Sequence, residues 1–328
     1  PPGHPYDGFR PGLVTIEQSG GWRIDNSFSA DAAGPFGLSG FRAVAHAPAA
    51  VLTLASTEAQ GFDRLVIEFL RAPGAGHLTV SVDGLPVQTV DGADMLTNYH
   101  ALALAVAPGS QRVTVAPVGD GPVRLLGWGG WRQQAGVIYE SHGVVGADAG
   151  LFDRWDGETV AAQLHWRRPA LIALAYGTNE GFLDDLDLIS YRVAFAGRLA
   201  LLRRLAPQAA LLVIGPPDAQ RLPAGCRPRA ATAACAPTVE GPGGACRWHP
   251  PPNLALVRRL QQEVAQAVGA LFWDWSRVMG SPCGTHRWAR AEPPLAAADH
   301  VHLRTEGYRL SAEALFKVLL ERYPGFAG

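Results

Sequence analysis

The pattern of apolar and polar residues changes character once along this chain. From about residue 12 to 130 the apolar residues come in short runs, alternating or continuous, cut by Gly, Pro and Asp. Leu65-Val66-Ile67-Glu68-Phe69-Leu70, His77-Leu78-Thr79-Val80-Ser81-Val82 and Gln111-Arg112-Val113-Thr114-Val115 are of this kind. Short runs closed by turn residues predict β-strands, and Asp83-Gly84 predicts a hairpin between Val82 and Val87. Many such strands in one stretch predict a β-sandwich.

From about residue 135 strands and helices alternate. Val137-Ile138-Tyr139 reads as a strand and 157–166 as a helix. Residues 170–175 are continuously apolar, as a parallel strand covered on both faces requires. A helix over 186–205 is stopped by Pro207, and a strand follows at 210–214. A helix over 253–268, a strand at 271–273 and a last helix over 306–322 complete the series. Such alternation predicts a doubly wound parallel sheet, so the fold class is α/β with an N-terminal β-sandwich domain. Ligands of such sheets bind at the carboxyl ends of the strands, where Gly177, Asn179 and the 299–302 loop fall.

A length of 328 residues suits about two domains. The sequence divides into a sandwich over 12–133 and an α/β domain over 134–328, with 1–11 as a linker. The opening Pro1-Pro2-Gly3-His4-Pro5 reads as a processed or trimmed terminus, not as a signal peptide. Charge is balanced, 28 basic against 29 acidic residues, so nothing points to nucleic acid or an anionic surface. No apolar run is long enough to span a bilayer.

Cys226, Cys235 and Cys246 fall in a Pro/Gly/Ala-rich excursion, 222–252, and Cys283 follows. An even count in an irregular stretch predicts disulfides and an oxidising compartment. Zinc, with His249 and His286, is the rival reading, but the spacings are not those of compact zinc sites. No metal or cofactor is expected. Proximity alone favours Cys226–Cys235 and Cys246–Cys283 among the three pairings that four cysteines allow.

Asp299 and His302 lie three residues apart on a short loop before the last helix. A carboxylate so placed can bond the inner imidazole nitrogen and leave the outer one free to take a proton from a nucleophile. His300 competes with His302, and a polar loop can also hold such residues facing solvent, with Thr305 capping the helix. Gly177-Thr178-Asn179 ends an apolar strand and can be a plain turn. Its chemical reading has the Asn179 amide donating to an oxyanion, with Gly146 supplying a backbone N–H. Trp22, Trp128 and Trp131 can stack on sugar rings or fill a core.

The order Gly146, Gly177-x-Asn179, Asp299-x-x-His302 resembles the later blocks of the SGNH (GDSL-type) hydrolase family. It is similar in particular to bacterial peptidoglycan O-acetylesterases. That likeness extends to Val137-Ile138-Tyr139-Glu140-Ser141, Tyr176-Gly177-Thr178-Asn179-Glu180, Phe272-Trp273-Asp274-Trp275 and Asp299-His300-Val301-His302-Leu303. Gln18-Ser19-Gly20-Gly21-Trp22 and Phe36-Gly37-Leu38-Ser39-Gly40 resemble parts of a carbohydrate-binding β-sandwich inserted in that family after its first block. The resemblance implies a periplasmic or cell-envelope enzyme acting on an acetylated glycan, with Asp299, His302, Asn179 and Gly146 catalytic. Gly177 and the three Trp residues would then contact substrate.

The family's nucleophile lies in a Gly-Asp-Ser block, and none occurs here, so the first strand and its serine are expected upstream of Pro1. Ser141, beside His142, belongs to the segment leading to Gly146 and is the lesser candidate. Glu140 stands where that segment would have Asp. The alternatives are an O-acetyltransferase on the same scaffold and a non-catalytic glycan-binding protein.

Overall fold

A computed structural model describes residues 12–29, 31–226, 234–236 and 246–322. The linker expected at 1–11 and two stretches of the cysteine excursion lie outside the described residues. These residues form two compact units. One runs to Val145 and adds Gly150–Arg167; the other holds Gly146–Ala149 and everything from Arg168 on.

The first unit contains β1 (Val14–Ser19), β2 (Arg23–Asn26), β3 (Phe41–Ala45), β4 (Val51–Ser56) and β5 (Phe62–Arg71). It continues with β6 (Leu78–Val82), β7 (Leu85–Val90), β8 (Asn98–Ser110), β9 (Arg112–Pro117), β10 (Val123–Trp131) and the helix α1 (Gly157–Arg167). The strands form two antiparallel sheets, ordered β1-β4-β9-β6-β7 and β2-β3-β10-β5-β8. Alternate residues of both sheets supply one core: Leu65, Ile67 and Phe69 from β5 meet Leu78, Val80 and Val82 from β6. The Asp83-Gly84 hairpin forms with Val82 opposite Leu85, and both turn residues have positive φ, as a two-residue hairpin of this hand requires.

The other residues of β5 face the opposite way, and Glu68 among them is 2% exposed. Arg167 of α1 answers it with two bonds, one of 2.9 Å, and the Tyr99 hydroxyl donates at 2.7 Å. A buried carboxylate without a cation costs several kcal/mol, roughly, so this pair fixes α1 against the sheet. The helix expected in the alternating half thus packs on antiparallel strands. Arg167 also bonds Glu140 at 2.8 Å. Val137-Ile138-Tyr139 corrects a second expectation. These residues form no strand, and they are 96%, 72% and 85% exposed. An apolar run becomes a strand only when a sheet edge meets it, and among the described residues none does.

The second unit contains β11 (Leu171–Leu174), α2 (Thr178–Gly181), α3 (Leu188–Leu205), β12 (Ala210–Gly215) and α4 (Leu254–Ala267). β13 (Leu271–Asp274), α5 (Gly284–Ala289) and α6 (Thr305–Arg322) follow. The three strands are parallel and lie in chain order. Asp187 caps α3 through the N–H groups of Ile189 and Ser190. α4 buries Leu254, Val257, Leu260, Gln261 and Val264, the spacing of one helical face. β12 is buried as a central strand must be, whereas β11 is an edge and leaves Leu171 42% exposed.

The disulfides are Cys226–Cys246 and Cys235–Cys283, which corrects the pairing read from proximity. The excursion doubles back: Arg221 and His249 exchange backbone hydrogen bonds, antiparallel, at 2.9 and 3.0 Å. Cys226 and Cys246 therefore leave that pairing on facing arms. Cys235 lies beside Trp248, whose carbonyl accepts the Ala236 N–H, and turns to Cys283 at the start of α5.

Candidate active site

The segments after β11 and β12 meet at the carboxyl end of the parallel sheet. Gly177, three residues beyond β11, has φ 116°, and a Cβ there would stand 2.8 Å from Gln261 Nε2 and 3.0 Å from Pro216. Both the backbone angle and the close approach demand glycine. Gln261 holds this turn by donating to the Tyr176 carbonyl at 3.0 Å. Beyond β12, the Gln220 N–H donates to the His300 carbonyl at 3.0 Å, which ties the 299–302 loop to the same end of the sheet.

Asp299 organises that loop. Its Oδ1 accepts the N–H groups of Val301 and His302 at 2.9 and 3.0 Å, and its Oδ2 lies 2.7 Å from His302 Nδ1. A carboxylate only accepts, so Nδ1 carries the proton and Nε2 is left as the acceptor. The His302 side chain is 72% exposed. Burial pushes the Asp299 carboxyl up, but the bonds from His302 and the two backbone N–H groups outweigh it and hold it below the usual carboxylate range. His300 is turned inward, 6% exposed, at φ 58°. It stands edge-on to Trp248 at 3.7 Å between centroids, with His286 at 5.1 Å. Of the two competing histidines, His302 is the one paired with the carboxylate.

Asn179 Nδ2 donates to the Ala147 carbonyl at 2.7 Å and has a second N–H to give. Gly146 sits at φ 75°, and its own N–H meets no acceptor among the described residues. Asn179 and the Gly146 segment are thus brought together. The Gly177 N–H is engaged, donating to Glu180 Oε2 at 3.0 Å, while Glu180 Oε1 accepts the Ala149 N–H at 3.0 Å. The sequence carries no sign of the Glu180–Ala149 contact, because the two residues lie far apart in the chain. Within this unit no serine among the described residues bonds His302.

The tryptophans separate. Trp22 is 5% exposed and belongs to the core of the first unit, so its ring is unavailable to a sugar. Trp128 packs partly buried against the same core. Trp131 meets Trp166 edge-on at 6.0 Å and, with Leu13, Phe62, Arg64 and Gln133, lines an open cleft of about 780 Å³. Ser141 is exposed and belongs to this first unit.

No family model and no curated protein sequence matches this chain. Among solved structures it is similar to a peptidoglycan O-acetylesterase, with a TM-score of 0.70 and 23% identity over 96% of this chain and 79% of that one. The likeness is one of fold. A family two carbohydrate esterase from Clostridium thermocellum aligns over 94% of this chain and 99% of its own, at TM-score 0.31 and 12% identity. A salicylyl-acyltransferase from a tetracycline biosynthetic pathway aligns over 96% of both chains, at TM-score 0.35 and 14% identity. Both superpose too weakly to carry an argument.

Proposed function

We propose that this chain is most of an SGNH-type carbohydrate esterase that removes O-acetyl groups from a cell-envelope glycan of the peptidoglycan kind. The observation that carries the reading is the Asp299–His302 pair, bonded at 2.7 Å through Nδ1 of an imidazole whose side chain is largely exposed. A serine from outside this sequence attacks the acetyl carbonyl as His302 Nε2 takes its proton. That proton passes to the departing glycan oxygen, which leaves as a hydroxyl. His302 then takes a proton from water as it attacks the acetyl-serine and returns it to the serine oxygen, releasing acetate. Asp299 fixes the imidazole, and the Gly146 N–H and the second Asn179 N–H stabilise the oxyanion. β11 pairs on one side only among the described residues, which suits a further parallel strand bringing the nucleophile. The fold shared with a peptidoglycan O-acetylesterase supports the same substrate class.

In this reading the first unit is a carbohydrate-binding β-sandwich, with Trp131 and Trp128 the remaining candidates for sugar contact. Two disulfides suit the periplasm or another oxidising compartment. No helix among the described residues is long and apolar enough to cross a membrane. The test is acetate release from O-acetylated peptidoglycan by the full-length protein, expected to vanish in His302→Ala. A full-length protein that binds the glycan and releases no acetate would overturn the esterase in favour of a binding role.

A further inference from the structure

We propose that Glu180 is a positioning residue that shapes the oxyanion site, holding the Gly146–Ala149 segment against the Gly177 turn. The role rests on the proposed reaction, in which Gly146 and Asn179 are the donors. Glu180 is 4% exposed, and its two oxygens serve two different loops: Oε1 accepts from Ala149 and Oε2 from Gly177, each at 3.0 Å. Its neighbour Asn179 grips the same segment at the Ala147 carbonyl. The glycine between Val145 and Ala147 is thus pinned on its downstream side at two places, Ala147 and Ala149.

That pinning matters because glycine explores φ of either sign freely. Gly146 at φ 75° presents a useful N–H only while its neighbours are fixed. Donors act on a transition state to the extent that they are already aimed when charge develops. Burying a carboxylate is costly, and burial, reinforced by Asp148, holds the Glu180 carboxyl above its ordinary range. The two backbone N–H groups offset part of that cost. Residue geometry leaves few substitutes. Gln would set its own amide N–H against one of the two donors, and Asp is too short to reach both loops.

Steady-state kinetics of the full-length protein on an acetyl ester, with unfolding midpoints, tests the role through Glu180→Gln, Asn179→Ala and the double variant. Glu180→Gln is expected to lower kcat about 10- to 100-fold, since misplaced groups cost on that scale. KM should stay within about threefold, because the oxyanion exists mainly in the transition state. The double variant should be scarcely slower than Asn179→Ala, as both changes spoil one set of donors. A wild-type kcat in Glu180→Gln, or losses that multiply in the double variant, would overturn the role. If Glu180→Gln does not fold, Glu180→Asp decides: reduced kcat at unchanged KM supports the role, and wild-type kcat overturns it. An Asn179→Ala enzyme with full kcat removes the oxyanion assignment itself, a separate failure from that of Glu180.

Discussion

Asp299 bonds His302 through one oxygen and the backbone of the same loop through the other, so a single carboxylate sets both the tautomer of the imidazole and the turn that presents it. The neighbouring His300 points the other way, into protein.

The two histidines should therefore fail differently. In the full-length protein His302→Ala is expected to abolish nearly all turnover with little change in unfolding midpoint, because the side chain is exposed. His300→Ala should instead lower the midpoint by removing a buried ring packed on Trp248, with a smaller effect on kcat. Paired activity and thermal-melt measurements check this, and an inactive His300→Ala beside an active His302→Ala would reverse the assignment.

Asn179→Ala should lower kcat roughly 100- to 1,000-fold, the scale of lost oxyanion donors elsewhere. The Michaelis constant should move far less. Equal changes in both would mean that the amide binds ground-state substrate instead.

Acid should destabilise the second unit through His300. Burial, then the nearby charge of His286, push its pKa down to about 4, with Arg290 acting the same way and Asp299 opposing. The unfolded chain takes up this proton near the ordinary value of about 6.5. Between those values the unfolded state binds more protons, so stability falls as pH drops from about 6.5 to about 4 and is fully present above that window. Urea midpoints measured across the range should show the fall, and His300→Gln should flatten it.

Arg167→Ala should cost about 3–5 kcal/mol of stability in the first unit, because Glu68 would be left charged and buried. Chemical denaturation monitored by tryptophan fluorescence would show it. A loss under about 1 kcal/mol would mean that Glu68 finds water.

Non-reducing peptide mapping should recover Cys226 linked to Cys246 and Cys235 linked to Cys283. A Cys226–Cys235 peptide would contradict the doubled-back course of the excursion.

What was legible in the sequence is what short-range geometry decides. Asp299 and His302 meet across three residues, so a tight turn is enough to pair them. Gly177 declares itself because a strand must leave through an angle that only glycine adopts easily. Helices α3, α4 and α6 follow from apolar spacing and agree with their expected spans to within a residue or two, whereas the short α2 and α5 carry too few residues to show a helical period.

The illegible parts depend on distant partners. Trp22 is core or sugar platform according to which side of the strand region the opposing sheet covers, and composition does not say. Val137-Ile138-Tyr139 has a strand's residues and no edge to join. Helix α1 has the spacing of any amphipathic helix, and Glu68, far back in the chain, decides where it docks. Cysteine pairing followed the Arg221–His249 contact, not nearness in sequence.

The two disulfides interleave, since Cys235 lies inside the loop closed by Cys226 and Cys246 while its partner lies beyond it. During synthesis Cys226 and Cys235 emerge first, and neither native partner has yet been made. An oxidant acting then joins the wrong pair, and only thiol–disulfide exchange can release it. The yield of active protein should accordingly depend on disulfide isomerase in the producing compartment, more than on oxidising strength.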